Sequence, residues 1–274
     1  DYHRFIEMNQ RIPKESLVTL IGDQGTPMIL RPDITSSIIS YVVPRLDDET
    51  ELKLYYDSSF YRRGENMEIV EKRQWGIEQL GAHQISHDIE IIELALDILH
   101  GFSNSFVFVI NHNGFLFSLL DELALSTQNK QEILQIIHKK NRSALKRFIQ
   151  VNMINTHTSH LLNALFDFNG NWSQLCQMLT TFDLSEDQKN IMKTLQFIND
   201  QFNHKYENIL ITYDLSLISD YDYYQGIMFK GFMYHQPKPI LDGGRYDVLT
   251  KSYGKEVPAI GFSLDVQELM KEVI

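Results

Sequence analysis

The segments DYDYYQGIMFKGF (Asp220–Phe232), LDGGRYDVL (Leu241–Leu249) and PAIGFSLDVQEL (Pro258–Leu269) decide the fold of this chain. Runs rich in β-branched and aromatic residues that are broken by glycine or proline indicate strands. We interpret the three segments as a strand pair, a Gly243-Gly244 turn with Arg245 beside it, and a strand that runs into a helix. The end of the chain is therefore predicted to be part of a sheet domain.

The sequence upstream carries further strand and helix patterns. Residues 17–30, LVTLIGDQGTPMIL, predict a β-hairpin, because two β-rich runs flank a Gly-Asp-Gln-Gly turn. Thr35 or Ser36 is expected to cap a helix that runs towards Pro44, and Ser86 to cap a helix over the apolar run that follows it. Two strands are predicted between these helices, over residues 51–62 and 73–82, with an acidic loop between them.

Residues 115–204 have a different character. Their apolar residues recur at helical spacing, in runs such as LLDELAL, EILQIIHKK and LLNALFDF, which predicts four to six helices. Strands are predicted on both sides, in FVFVINHNG and NILITYDLSLI. The fold class is therefore expected to be α+β, with an antiparallel sheet flanked by helices. The sheet core would comprise residues 1–114 and 205–274, with residues 115–204 as a helical insertion.

Composition limits the classes of partner. The formal net charge of −11 argues against a nucleic acid as the main ligand, since such proteins usually carry a basic face. The basic residues of 139–147 are more simply a solvated helix face. No apolar run approaches the roughly 20 residues of a membrane span. His83 and His87 lack a third ligand, so no metal is expected, and Cys176 has the apolar setting of a core thiol.

The three opening segments resemble the end of a class II histidyl-tRNA synthetase catalytic domain, which has Y-Y-x-G, G-G-R-Y-D and P-A-x-G-F in this order. LRPDITSSI, LYYDSSFYR and QWGIEQLG resemble its amino-acid-binding segment and the two strands of its second motif. The resemblance runs from about residue 17 to residue 270, although residues 115–204 match only in their helical character. It implies a class II aminoacyl-tRNA synthetase-like catalytic-domain fold.

The resemblance also implies a pocket for histidine. Carried over one residue at a time, its candidates are Asp33, Thr35, Gln74, Glu78, Tyr223, Tyr224, Arg245 and Tyr246. Carboxylates suit the donors of an ammonium group, and tyrosine and glutamine side chains can form hydrogen bonds with an imidazole. Each such side chain taken alone is more often a surface or satisfied core group. The pocket is favoured because all of these residues occur together, in the order that the family shows.

The positions that would bind ATP depart from the family pattern. Arg62 keeps the arginine of the second motif, but Gly64 stands in place of an acid and Lys72 in place of an adenine-stacking phenylalanine. Ser219 and Glu268 each replace an arginine. Because adenylyl transfer depends on positioning and charge neutralisation, we expect a degenerate ATP site and no catalytic residues.

A synthetase-like domain of this kind resembles the regulatory subunit of ATP phosphoribosyltransferase. That resemblance implies a non-catalytic, cytoplasmic protein that self-associates as a dimer or a larger assembly and binds the short catalytic subunit. It would activate this partner and mediate feedback inhibition by L-histidine in the first step of histidine biosynthesis, with no cofactor, tRNA, membrane or anticodon-binding domain. Two alternatives stay open: a truncated histidyl-tRNA synthetase that forms histidyl-adenylate, and an interaction scaffold without a small-molecule ligand.

Overall fold

Eleven α-helices and nine strands lie in the part of the chain that the structure describes. The computed structural model describes residues 2–8, 12–47, 50–64, 66–102, 105–202, 205–206, 209–218, 226–234 and 236–273. The helices are α1 (Tyr2–Met8), α2 (Ile34–Val42), α3 (Ile85–Phe102), α4 (Asn113–Asp121), α5 (Thr127–His138), α6 (Arg142–Val151), α7 (Thr156–Asp167), α8 (Trp172–Leu179), α9 (Glu186–Phe202), α10 (Asp247–Lys251) and α11 (Val266–Val273). The strands are β1 (Thr19–Ile21), β2 (Pro27–Ile29), β3 (Leu52–Arg63), β4 (Ile69–Leu80), β5 (Phe106–His112), β6 (Leu210–Tyr213), β7 (Ile227–Met233), β8 (Leu241–Arg245) and β9 (Ala259–Asp265).

The first of two compact units takes in the described residues of Asp1–Ala95 and Lys238–Ile274. Four of its strands pair in the order β3-β4-β9-β8, and each neighbouring pair is antiparallel. Strands β1 and β2 form a separate antiparallel hairpin, which confirms the prediction for residues 17–30. Gln24 and Gly25 have φ values of 60° and 77°, the left-handed backbone that a tight turn needs.

The helices of this unit begin earlier than the sequence predicts. Asp33 is the N-cap of α2, because its Oδ2 accepts the backbone N–H of Ser36 at 2.7 Å. Thr35 and Ser36 are therefore inside the first turn, where their helical backbone rules out a capping role. Helix α3 likewise starts one residue before Ser86. Both predicted caps are wrong, because each lies two or three residues past the position that precedes its helix.

Strand pairing overrides two predictions that were made from local turn residues. Gly243 and Gly244 form no turn but lie within β8, where Gly244 pairs with Gly261 of β9. Strand β4 begins at Ile69, inside the predicted acidic loop, because Ile69 pairs with Arg63 and extends the β3–β4 ladder. In both cases hydrogen bonds to a distant strand outweigh the local preference of the residues.

The second unit takes in the described residues of Leu96–Asp220 and Gln225–Pro237. Its strands pair in the order β7-β5-β6, with β5 antiparallel to β7 and parallel to β6. The sheet is therefore mixed and not purely antiparallel as predicted. Helices α4–α9 provide the long crossover that a parallel pair requires, and the six of them in the described part agree with the predicted four to six.

Two expectations for side chains of the second unit have different outcomes, since the thiol is as expected and the basic helix face is only partly solvated. The Phe108 and Phe229 rings stack with centroids 5.6 Å apart in the core. Cys176 is half-buried, and burial raises the pKa of its thiol, as expected of an inert side chain. Lys140 Nζ lies 3.1 Å from Asp214 Oδ2, so the basic residues of 139–147 are partly used in internal ion pairs. The α+β fold class is confirmed, while the proposed core and insertion boundaries stay predictions.

Candidate functional site

A buried carboxyl group in the first unit is the centre of the candidate site. Glu78 on β4 is 2% exposed. Its Oε1 accepts a hydrogen bond from Thr35 Oγ1 and its Oε2 one from Tyr246 OH, both at 2.6 Å. Burial raises the pKa of Glu78 to about 8, although the two hydrogen bonds oppose the shift, and the negative charge of Asp33 adds to it. A cation placed beside Glu78 would favour the ionised carboxylate and lower this pKa.

Glycine residues on the neighbouring strand make room for this carboxyl group. Glu78 pairs with Gly261 on β9, and Gly261 pairs in turn with Gly244 on β8. A Cβ atom at position 261 would overlap the Glu78 carboxylate and the carbonyl oxygen of Ile77. The glycine of the PAIGF segment is thus required by the close approach of an acid from the next strand.

Strand alternation gathers three predicted histidine contacts on one face of the sheet. Gln74 and Glu78 are four residues apart on β4 and therefore share a face. Tyr246 follows β8 and is 1% exposed, and its N–H donates to Ala259 O at 2.8 Å, which continues the β8–β9 register. Gln74 Nε2 donates to Ser263 Oγ at 3.3 Å on the same face.

The remaining predicted histidine contacts have different surroundings. Asp33 is 8% exposed and uses one oxygen to cap α2. Arg245 directly precedes Tyr246 and so lies on the opposite face of the sheet, where its Nη2 is 2.6 Å from Asp88 Oδ1. The structure therefore does not bring Arg245 to Glu78. Tyr223 and Tyr224 lie outside the described residues.

Two of the predicted ATP positions face the same side as Gln74. Arg62 Nε donates to Pro32 O at 2.9 Å, and its guanidinium carbon lies 5.1 Å from the centre of the Phe60 ring. Lys72 Nζ lies 3.4 Å from Asp265 Oδ2, so its charge is offset by an acid. The N–H of Gly64 donates to a carbonyl in the β3–β4 turn, and Ser219 lies outside the described residues.

Glu268 lies in the first turn of α11, where it takes part in the start of the helix. Asp265 Oδ1 accepts the N–H of Glu268 at 3.1 Å, and Lys271 Nζ donates to Glu268 Oε2 at 2.6 Å. An acid at this position is favourable for the helix dipole, whereas an arginine is not. The sequence analysis missed Asp265 and Lys271, although the D-x-x-E spacing and the i,i+3 pair are both recognisable helix-start patterns.

Neither a metal-binding cluster nor a membrane-spanning helix is found among the described residues. Within these ranges no group of three His, Cys, Asp or Glu side chains could hold a metal ion. His87 Nδ1 accepts the N–H of Gln84 at 3.2 Å and its Nε2 lies 3.5 Å from Glu51 Oε1, so its imidazole holds the start of α3. No helix in the described residues is long and apolar enough to cross a bilayer.

Comparison with known proteins places the chain among synthetase-like sequences. The family model described as Histidyl-tRNA synthetase matches residues 2–269. An ATP phosphoribosyltransferase regulatory subunit from Clostridium botulinum (strain Langeland) is 30% identical over 279 residues, which are 98% of this chain and 65% of that protein. The chain thus spans about two thirds of that relative's length.

Solved structures give the same picture. One from Bacillus halodurans, described as an ATP phosphoribosyltransferase regulatory subunit/histidyl-tRNA synthetase, has a TM-score of 0.85 at 26% identity and covers 96% of this chain and 69% of its own. A chain of the ATP phosphoribosyl transferase (HisG:HisZ) complex from Thermotoga maritima has a TM-score of 0.72 at 17% identity, with 97% of both chains covered. The second likeness is evidence of the fold alone.

Proposed function

The chain belongs to the histidyl-tRNA synthetase family, and from its similarity to a curated regulatory subunit we propose that it is a non-catalytic regulatory subunit of ATP phosphoribosyltransferase. In this role it self-associates, binds the short catalytic subunit and activates it in the first step of histidine biosynthesis. L-histidine is the effector that inhibits the assembly, which acts in the cytoplasm and needs neither tRNA nor a cofactor. The relative from Clostridium botulinum supports this proposal.

The observation that carries the proposal is the Glu78 carboxyl group held between Thr35 and Tyr246. Histidine has an ammonium group with three donors, and Glu78, once it releases its proton to become a carboxylate, offers two oriented oxygens as acceptors. Asp33 adds a second negative charge near Glu78. Gln74 on the same face offers an amide to the imidazole or carboxylate, and the proposed contact set also includes Tyr223 and Tyr224.

The residues at the positions expected to bind ATP support a role in binding without catalysis. A triphosphate needs net positive charge, and the lysines beside Asp265 and Glu268 are each paired with one of these acids. Lys72 is paired with Asp265, and Lys271 with Glu268. Each pair sums to zero charge, so neither replaces the arginine that Glu268 displaces. Losing one charge contact of this kind typically costs about 3 kcal/mol of transition-state stabilisation.

The direct test combines binding with partner activity. Histidine is titrated calorimetrically into the purified chain, alone and mixed with a short ATP phosphoribosyltransferase catalytic chain whose activity is assayed with and without histidine. We expect a stable complex, higher activity in the complex, and inhibition by histidine. Glu78→Gln should keep the assembly and abolish the histidine response. If the catalytic chain forms no complex with this protein, or gains no activity from it, the regulatory role is wrong.

Arg62 is the one observation that favours an enzyme. It keeps the arginine of the second motif on the Gln74 face, so a synthetase that forms histidyl-adenylate remains the second candidate. Histidine-dependent exchange of pyrophosphate into ATP separates the two functions, because only the enzyme catalyses it. Asp33→Asn separates both from a ligand-free scaffold, since asparagine can keep the α2 cap but removes the charge that histidine would meet.

A further inference from the structure

Tyr246 is the single residue between a strand and a helix, and the residues on both sides of it have ionic side chains. Strand β8 ends at Arg245 and helix α10 begins at Asp247, so Tyr246 alone connects the two elements. Its φ of −135° and ψ of 42° belong to neither a strand nor a helix. The direction of its phenol ring, and hence the 2.6 Å contact with Glu78, depends on how its two neighbours are held.

Each guanidinium nitrogen of Arg245 donates a hydrogen bond within the chain. Nε and Nη2 donate to Asp88 Oδ1 at 3.2 and 2.6 Å, and Nη2 also donates to Ala82 O at 2.8 Å. Nη1 donates to Asp247 Oδ1 at 3.3 Å. A fork-shaped cation in this geometry fixes its partners in orientation as well as in distance.

Asp247 extends the cluster to the next strand. Its Oδ1 also accepts the N–H of Ala259 at 2.8 Å, at the start of β9. Asp88, in the first turn of α3, is 5% exposed, and burial raises the pKa of its carboxyl while Arg245 opposes the shift. A buried carboxylate without its arginine would be strongly unfavourable, so the pair is expected to stay closed.

We propose that Arg245, Asp88 and Asp247 form an ion cluster that positions the Tyr246 hydroxyl on Glu78, and that Arg245 acts through Tyr246 without touching the ligand. The inference rests on the proposed histidine site and gives Arg245 a different part in it. Arg245 is a positioning residue, because it lies on the opposite face of the sheet from Glu78.

A double-mutant cycle on histidine affinity tests the proposal in the full chain. Arg245→Lys keeps the positive charge but loses the fork, so the dissociation constant measured by calorimetry should rise about tenfold. In a Tyr246→Phe background the same substitution should change it by less than about threefold, because no hydroxyl remains to be positioned. Equal effects in both backgrounds would mean that Arg245 contacts the ligand, and would overturn the proposal.

Controls separate positioning from general stability. Arg73→Lys alters another arginine–carboxylate pair of the same unit, with Arg73 Nη2 2.6 Å from Asp57 Oδ2 but exposed, and should leave affinity unchanged. Asp247→Asn is the second variant, which keeps an acceptor for Ala259 and loses the charge. A fall in melting temperature with unchanged affinity in both cluster variants would refute positioning.

The last arm remains informative if the chain does not bind histidine at all. The Tyr246–Glu78 hydrogen bond joins two side chains of the chain itself, so the same cycle can be run on the pH dependence of the free energy of unfolding. Arg245→Lys should steepen that dependence between pH 5 and 8 more in the parent chain than in Tyr246→Phe, because its effect on Asp88 is common to both backgrounds. If the chain shows this pH pattern but does not bind histidine, the proposed function is wrong and the positioning role stands. If the pH pattern is missing, the positioning role is wrong.

Discussion

Glu78→Gln should change how the stability of the protein depends on pH. The folded state raises the pKa of Glu78 from 4.5 to about 8. Between these values the folded state holds a proton that the unfolded chain has lost, so the free energy of unfolding should fall as pH rises from about 4.5 to about 8, and stay level above. The difference of 8 − 4.5 = 3.5 units corresponds to roughly 5 kcal/mol at most.

Glutamine removes the titration and keeps the shape. Its carbonyl can accept from one of Thr35 and Tyr246, while its amide donates to the hydroxyl oxygen of the other. Relative to the parent, Glu78→Gln should therefore be similar in stability at pH 5 and more stable by a few kcal/mol at pH 8.5. Urea unfolding followed by circular dichroism at pH 5, 6, 7, 8 and 8.5 measures this difference.

The control is Glu256→Gln, because the Glu256 side chain is 61% exposed and pairs with an exposed lysine. It should shift the unfolding free energy by no more than about 0.5 kcal/mol at any of these pH values. Parallel pH profiles for Glu78→Gln and the parent would refute the reasoning, since they would mean that Glu78 ionises in the folded chain as it does in water.

Three further predictions follow from buried or paired groups. Gln79→Leu should raise the free energy of unfolding by about 1 kcal/mol, because Gln79 is fully buried and its amide has no partner among the described residues; urea unfolding measures it. Gly261→Ala should destabilise the chain by about 1–3 kcal/mol and remove histidine binding, as followed by melting and calorimetry, because its Cβ overlaps Glu78. Glu268→Arg should tighten the binding of a fluorescent ATP analogue, seen by fluorescence titration, without producing pyrophosphate exchange.

Local patterns predicted the elements of this fold better than their connections. The 17–30 hairpin and the six helices between β5 and β6 are visible in sequence, because turn residues and helical spacing act over a few positions. The parallel pairing of β5 with β6 is not visible, since it joins residues far apart. Gly243 and Gly244 misled for the same reason: the turn preference is local, and their pairing partners are on β9.

The candidate site shows the same division. Thr35, Glu78 and Tyr246 come from three separated segments, and only the resemblance to a known family put them in one set before the structure brought them within hydrogen-bonding distance. Strand alternation already implies that the adjacent Arg245 and Tyr246 face opposite sides, but which of the two faces Glu78 depends on strand register, which the sequence does not show. The position of Asp33 as a helix cap depended on where α2 begins, which patterns locate only to within a few residues.

The β5–β6 pairing also affects the order in which the elements fold while the chain is being synthesised. Val107 pairs with Leu210, about a hundred residues later in the chain. Helices α4–α9 form from neighbours in sequence and can fold as they leave the ribosome, whereas β5 must wait for both of its partner strands. A ribosome stalled within α9 would therefore expose β5 as an unpaired, apolar strand, which is the species most in need of a chaperone.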